Sequence, residues 1–77
     1  KTIHSTQYQL LVNWLKENRQ AQELTMRDLA KKLNMPHSFI GKVEQCERKL
    51  DVIEFINYCQ ALSLSPVDGI QLILNKS

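Results

Sequence analysis

The segment from Thr25 to Gln45 constrains the fold more than any other part of the chain. An apolar helical pattern stops at Asn34, and asparagine is the best residue after glycine for the left-handed turn that ends a helix. Pro36 follows closely, and proline is tolerated only in the first turn of a helix. Ala30 is small, which lets a second helix cross the first closely. The segment therefore predicts two short helices joined by a tight turn, the helix-turn-helix arrangement.

Capping residues mark the starts of the other helices. Capping-box pairs three residues apart are expected at Thr6 and Gln9, at Thr25 and Asp28, and at Asp51 and Glu54. Ser65 followed by Pro66 marks the start of the last helix. Strand-like alternation and hairpin dipeptides are absent from the sequence. We therefore predict an all-α, compact five-helix domain that occupies residues 1–77 as a single unit.

The basic residues are concentrated around the predicted helix-turn-helix. The net charge is only +2, but residues 26–49 contain six basic and three acidic side chains. Such an excess suits a surface that faces phosphate groups. No apolar run in the sequence is long enough to span a membrane, and no basic-then-apolar leader pattern is seen, so we expect neither a membrane span nor secretion. Cys46 and Cys59 lack metal-ligand spacing, so we expect two reduced thiols in a cytoplasmic protein.

The second helix of the motif has two chemically different sides when residues are placed 100° apart. Polar or small residues share one arc: His37, Ser38, Gly41, Lys42 and Gln45. The opposite side carries Phe39, Ile40, Val43 and Glu44. The first set can hydrogen-bond to base edges in a DNA major groove, although a solvated polar face is the alternative. Gly41 costs ~1 kcal/mol relative to alanine within a helix, which makes sense if a ligand approaches the backbone there.

A buried ion pair is predicted from helical phase. The first helix has one apolar stripe, formed by Tyr8, Leu11, Val12 and Leu15. Arg19 lies on the same stripe, and Glu44 lies on the buried side of its own helix. A charge facing the core needs a partner, so we expect Arg19 and Glu44 to pair. The alternative is that both side chains extend separately to solvent.

The last helix, about residues 66–75, is a possible dimer interface. Its apolar residues share one side: Val67, Ile70, Ile73 and Leu74. Leu10 and Trp14 form a second apolar strip on the first helix, and one small core cannot easily bury both. A homodimer that uses the last helix, with or without Trp14, would resolve this. Alternatively, the residues before Thr6 cover Trp14.

From about Leu15 to Leu74 the chain resembles the helix-turn-helix domain of lambda-repressor-like regulators, the Cro/XRE family. The segment SFIGKVEQCERKLDVIEF is similar to a form common in bacterial regulators of this class. The resemblance implies a transcriptional regulator, a repressor that binds a palindromic double-stranded DNA operator as a homodimer. A protein-interaction module of the same fold, such as an antitoxin-like or adaptor domain, is the alternative.

The resemblance also implies roles for individual residues. His37, Ser38 and Lys42 match base-reading positions, and Gly41 belongs to the same surface. Phosphate contacts are implied for Thr25, Met26, Arg27, Gln45, Arg48 and Lys49. Arg19 and Glu44 match an internal ion pair of the family. The chain departs from the family at Met26, where many members have glutamine, and at Cys46 and Glu23, where glycine is common.

Catalysis is not expected. The sequence has no pairing of a nucleophile with a base, no carboxylate dyad, no glycine-rich phosphate loop and no metal-ligand spacing. We therefore expect no enzyme activity, no catalytic residue, no metal and no cofactor, and no small-molecule ligand is evident.

Overall fold

Each helix begins and ends close to the positions that the sequence indicates. The computed structural model describes residues 6–75. In this range the chain forms α1 (Thr6–Ala21), α2 (Met26–Leu33), α3 (His37–Glu44), α4 (Val52–Ala61) and α5 (Pro66–Leu74). The described range contains no strand, and the predicted all-α five-helix class is confirmed. None of these helices is long and apolar enough to cross a membrane.

The helix starts follow the capping predictions with three differences. Reciprocal capping boxes are confirmed at Thr25 with Asp28 and at Asp51 with Glu54. Thr6 is already the first helical residue of α1, and the residue before it lies outside the described range. Pro36 is the N-cap of α3 instead of its first helical residue. Pro66 starts α5 as predicted, but the Ser65 side chain makes no capping hydrogen bond.

Four helices end in left-handed turns without any glycine. Glu23, Asn34, Cys46 and Ser63 have φ between 57° and 59°. In each turn the amide of the next residue donates to a carbonyl five residues earlier, as Leu24 does to Arg19 at 3.1 Å. This is the Schellman arrangement, which satisfies carbonyls left unpaired at a helix end. The left-handed Asn34 is confirmed, whereas the turn at Ser63 was not predicted.

The core is formed by the buried sides of α1, α2, α3 and α4, with α2 packed on α3 and α4, and α5 packed on α1. Its largest fully buried side chains are Leu15, Leu29, Ile40, Tyr58 and Leu62. Leu24 and Leu64, which follow two of the left-handed turns, pack back against this cluster. The turns therefore bring apolar side chains onto the core as well as reversing the chain.

Gly69 allows α5 to cross α1 at close range. A Cβ at this position would lie 2.8 Å from Trp14 Cζ3 and 3.0 Å from Phe55 Cζ, which is too close for any side chain. The Trp14 ring is therefore partly covered by α5 of the same chain. Trp14 is only half-buried, so its contact with a second copy of the chain stays a prediction. The sequence also offers the residues before Thr6 as a cover for Trp14, and those residues lie outside the described range.

The ion pair between Arg19 and Glu44 is present and buried. Arg19 Nε donates to Glu44 Oε2 at 2.6 Å, and Nη2 donates to Oε1 at 3.1 Å. The two side chains are only 9% and 3% exposed. Arg19 Nη1 also donates to the carbonyl of Leu24 at 2.6 Å. The guanidinium thus joins α1, the turn after it and the inner side of α3 through charge-assisted bonds.

We expect Glu44→Ala to lower the free energy of unfolding by about 3 kcal/mol. The substitution leaves the buried Arg19 charge without its partner, and that penalty exceeds the net value of the pair itself. Urea denaturation followed by circular dichroism measures the change. Glu47→Ala, which removes an exposed carboxylate just after α3, is the matched control and should have little effect. Equal midpoints for the two variants would contradict the structural role of the pair.

Candidate nucleic-acid interface

The outer face of α3 combines exposed polar side chains with one glycine. His37, Ser38, Lys42 and Gln45 are exposed, whereas Gly41 is half-buried. Phe39, Ile40 and Val43 on the opposite side are buried in the core. The helix therefore presents imidazole, hydroxyl, ammonium and carboxamide groups outward in a row about two turns long.

The framework around α3 holds this face in a fixed position. The left-handed Asn34 sets the angle between α2 and α3, and the Ala30 carbonyl accepts the Met35 amide at 2.9 Å. Glu44 fastens the inner side of α3 to α1 through Arg19. Because both ends and the inner side are held, the polar side chains project from a rigid element, as a recognition surface requires.

Gly41 is not required by the packing of the chain itself. A Cβ at this position would have one neighbour, Met26 Sδ at 3.9 Å, which is an ordinary van der Waals distance. Gly69 is the opposite case, because side chains surround it. Packing within the chain therefore does not explain the glycine on the outer face. An external group that approaches the backbone of α3 would explain it.

The start of α2 lies beside the outer face of α3. Thr25, Met26 and Arg27 are exposed. The Asp28 amide is capped by Thr25 Oγ1 at 3.0 Å. The capping box therefore leaves the amides of Met26 and Arg27 to point out of the helix start, where an anion can bind. The Met26 side chain has no hydrogen-bond donor, so a phosphate contact at this position could come only from its backbone.

Arg48, a phosphate-contacting residue in the sequence prediction, is already engaged within the chain. Its Nη2 donates to Glu54 Oε2 at 2.8 Å, and Nη1 donates to Oε1 at 3.2 Å. The guanidinium carbon lies 5.3 Å from the centre of the Phe39 ring, a cation–π distance. Arg48 therefore joins α3 to the start of α4, which the sequence reasoning missed. Lys49 is exposed and has no ion pair within the described residues.

Tyr8 supports the loop that carries these two basic residues. Its hydroxyl donates to the Arg48 carbonyl at 2.7 Å and accepts from the Leu50 amide at 3.2 Å. Burial raises the pKa of Tyr8, which keeps the hydroxyl protonated and able to donate. The sequence indicated only a core position for this residue. The loop after α3 is thus fixed from α1, as α3 itself is.

Exposed apolar residues lie on α5 and on the start of α4. Val67, Ile70 and Leu74 are 57%, 48% and 63% exposed, whereas Ile73 packs against the core of its own chain. Val52 is exposed as well, and with Ile70 it borders an open apolar groove. Three of the α5 residues predicted to form an interface therefore face outward. Val52 was not singled out from the sequence.

The two cysteines are free and buried. Burial raises the pKa of Cys46 and raises that of Cys59 to about 11. Both therefore remain neutral thiols near pH 7, the form that binds metals poorly. Within the described residues there is no group of three acidic, histidine or cysteine side chains that could hold a metal ion.

The chain is similar to known helix-turn-helix proteins. A family model described as helix-turn-helix matches residues 15–68. The structure of an XRE-family like protein from Pseudomonas syringae pv. tomato str. DC3000 is 36% identical, with a TM-score of 0.88 over 96% of this chain and 90% of that chain. Comparison with curated proteins finds no match.

Two restriction-modification controller proteins share the fold at lower identity. C.AhdI from Aeromonas hydrophila is 23% identical, with a TM-score of 0.77 over 84% of this chain and 98% of that chain. C.Esp1396I, solved as a tetramer in complex with its natural 35 base-pair operator, is 22% identical, with a TM-score of 0.81 over 95% of this chain and 96% of that chain.

Proposed function

This chain belongs to the lambda-repressor-like XRE family of helix-turn-helix, DNA-binding transcription regulators, and we propose that it represses transcription by binding a specific operator with the outer face of α3. The observation that carries the proposal is the exposed polar row of α3 around a glycine that the chain does not need for its own packing. Free thiols and a DNA partner suit a protein that works in the cytoplasm.

Base recognition falls to the side chains of α3. His37 and Ser38 lie in its first turn and Lys42 in its second, and all three are exposed. Hydroxyl and imidazole groups can bond to several base edges, and a lysine ammonium suits the guanine O6 and N7 acceptors in the major groove. Gly41 lets the backbone of α3 lie close to the bases.

Phosphate contacts fall to the borders of this face. Four exposed residues border the outer face of α3: Met26 and Arg27 at the start of α2, Gln45 at the end of α3, and Lys49 in the following loop. Met26 and Arg27 would make the contact through their backbone amides. These groups would fix the position of α3 on the duplex without reading sequence. Arg48 contributes mainly by holding the loop, because its guanidinium is paired with Glu54.

A homodimer would place two copies of α3 on one operator. Val67, Ile70 and Leu74 form an exposed stripe on α5 at the spacing of a helical contact face. The structural relative C.Esp1396I is a tetramer on its operator, which supports assembly on DNA for this fold. Two recognition helices related by a twofold axis would enter successive major grooves of a palindromic site, ~34 Å apart.

Salt-dependent binding to an operator is the primary test. We expect the protein to shift a DNA fragment from upstream of its own gene, with affinity falling steeply between about 50 and 200 mM salt. Lys42→Glu should weaken binding by more than about tenfold. Lys32→Glu makes the same charge change beside Asn57 and Gln60 of α4, and should bind nearly as wild type. No salt-sensitive binding to any fragment would favour a protein-interaction module instead.

Gly41→Ala should change stability and DNA affinity in opposite directions. Because a Cβ at Gly41 has room, alanine should raise the free energy of unfolding by up to ~1 kcal/mol through its helix propensity. The same methyl group would obstruct the approach of DNA, so we expect an affinity loss of roughly tenfold. Urea denaturation and fluorescence anisotropy measure the two quantities. A stabilised variant that retains full affinity would show that DNA does not approach α3 at this position.

Ile70→Glu should abolish dimerisation because it buries a charge in the centre of the α5 stripe. Sedimentation equilibrium should show a monomer, and DNA affinity should fall with it. Gln71→Glu places the same carboxylate one residue away on the exposed part of α5, and should leave the association unchanged. A thermal melt of each monomer establishes that the fold is retained. An Ile70→Glu protein that still dimerises would exclude α5 as the interface.

A further inference from the structure

One side chain from α2 belongs to the outer face of α3. His37, Gly41 and Gln45 follow one another at intervals of four and form a row along α3, in which Gly41 leaves a gap. Met26 Sδ lies 3.9 Å from the position that a Cβ on Gly41 would take. Met26 is also 36% exposed. Its thioether therefore lies at the gap, on a side chain that is partly exposed.

The chemistry at this gap differs from that of its surroundings. The neighbouring polar side chains on α3 carry hydrogen-bonding groups, whereas a methionine thioether is apolar, polarizable and adaptable in shape. It cannot donate a hydrogen bond to a phosphate oxygen or to a base acceptor. A favourable partner for it is an apolar group. Among the base edges of the major groove, that group is the C5-methyl of thymine.

We propose that Met26 is a specificity-determining residue that contacts a thymine methyl group opposite Gly41. The inference rests on the proposed DNA-binding function and adds one base position to those read by α3. It also gives Gly41 a second role, because the space left by its missing side chain lets a base reach the thioether beside α3. The Met26 side chain thus reads sequence, while its amide remains available to phosphate.

Removal of single methyl groups from the DNA tests this contact. An operator is first selected from randomised duplexes with the wild-type protein, and each thymine is then replaced by uracil, which differs only by the methyl group. We expect one thymine in each half-site at which uracil weakens wild-type binding by about fourfold, the value of one buried methyl group. With Met26→Ala, affinity for the thymine operator should fall, and the thymine-to-uracil ratio at that position should approach one.

A phosphate-contacting control separates this effect from general weakening. Lys49→Ala should weaken binding to the thymine and uracil operators alike and leave the fourfold ratio intact. Met26→Leu, which keeps an apolar side chain of similar volume, should retain most of the ratio, and thermal melts establish that each variant is folded. An unchanged ratio in Met26→Ala, or no thymine at which the methyl matters, would overturn this inference alone. Failure of the wild-type protein to select any sequence would overturn the proposed function and this inference together.

Discussion

The orientation of the outer face of α3 depends on the buried ion pair between Arg19 and Glu44. Two oxygens of Glu44 accept hydrogen bonds from one guanidinium, whose remaining nitrogen reaches the Leu24 carbonyl. A pair removed from water adds little net stability but strongly favours the one geometry in which both charges are satisfied. That geometry fixes the rotation of α3 about its axis. It also keeps the only carboxylate of α3 inside, so the side that would meet the negatively charged backbone of DNA carries no acid.

The positions of the two glycines separate internal packing from external contact. Four turns adopt left-handed backbone at residues other than glycine, a conformation that costs such residues roughly 1 kcal/mol or more. The chain therefore does not place glycine where backbone conformation alone would favour it. Gly69 is surrounded by Trp14 and Phe55, which explains it completely. Gly41 has space around it and disfavours the helix that contains it, so packing within the chain does not explain it, whereas the proposed approach of DNA to the face that carries Lys42 does.

Sequence rules predicted the features that depend on one helix or one turn. The left-handed Asn34 follows from local backbone preference. The pairing of Arg19 with Glu44 spans 25 residues, yet it was predictable because each charge falls on a buried side of its own helix. The engagement of Arg48 was not predictable, because an arginine in a loop gives no sign that an aromatic ring and a carboxylate from two helices will lie beside it. The cover of Trp14 depended on where α5 crosses α1, which helical phase does not specify.

The number of exposed cations on the proposed DNA face limits how tightly one copy of the chain can bind DNA. Arg48 is paired with Glu54, whereas Lys42, Lys49 and Arg27 are exposed around α3 and make no ion pair within the described residues. Affinity for DNA grows with the number of phosphates that a protein neutralises, so on the proposed function we expect a single copy of this surface to bind weakly. A second copy joined through α5, as proposed, would double those contacts and make its own binding intramolecular. An interface built on three exposed side chains of α5 would be small, so we expect the free dimer to be weak as well. On the proposed function, dimerisation and DNA binding therefore stabilise each other. Operator occupancy then rises more steeply than in direct proportion to the protein concentration.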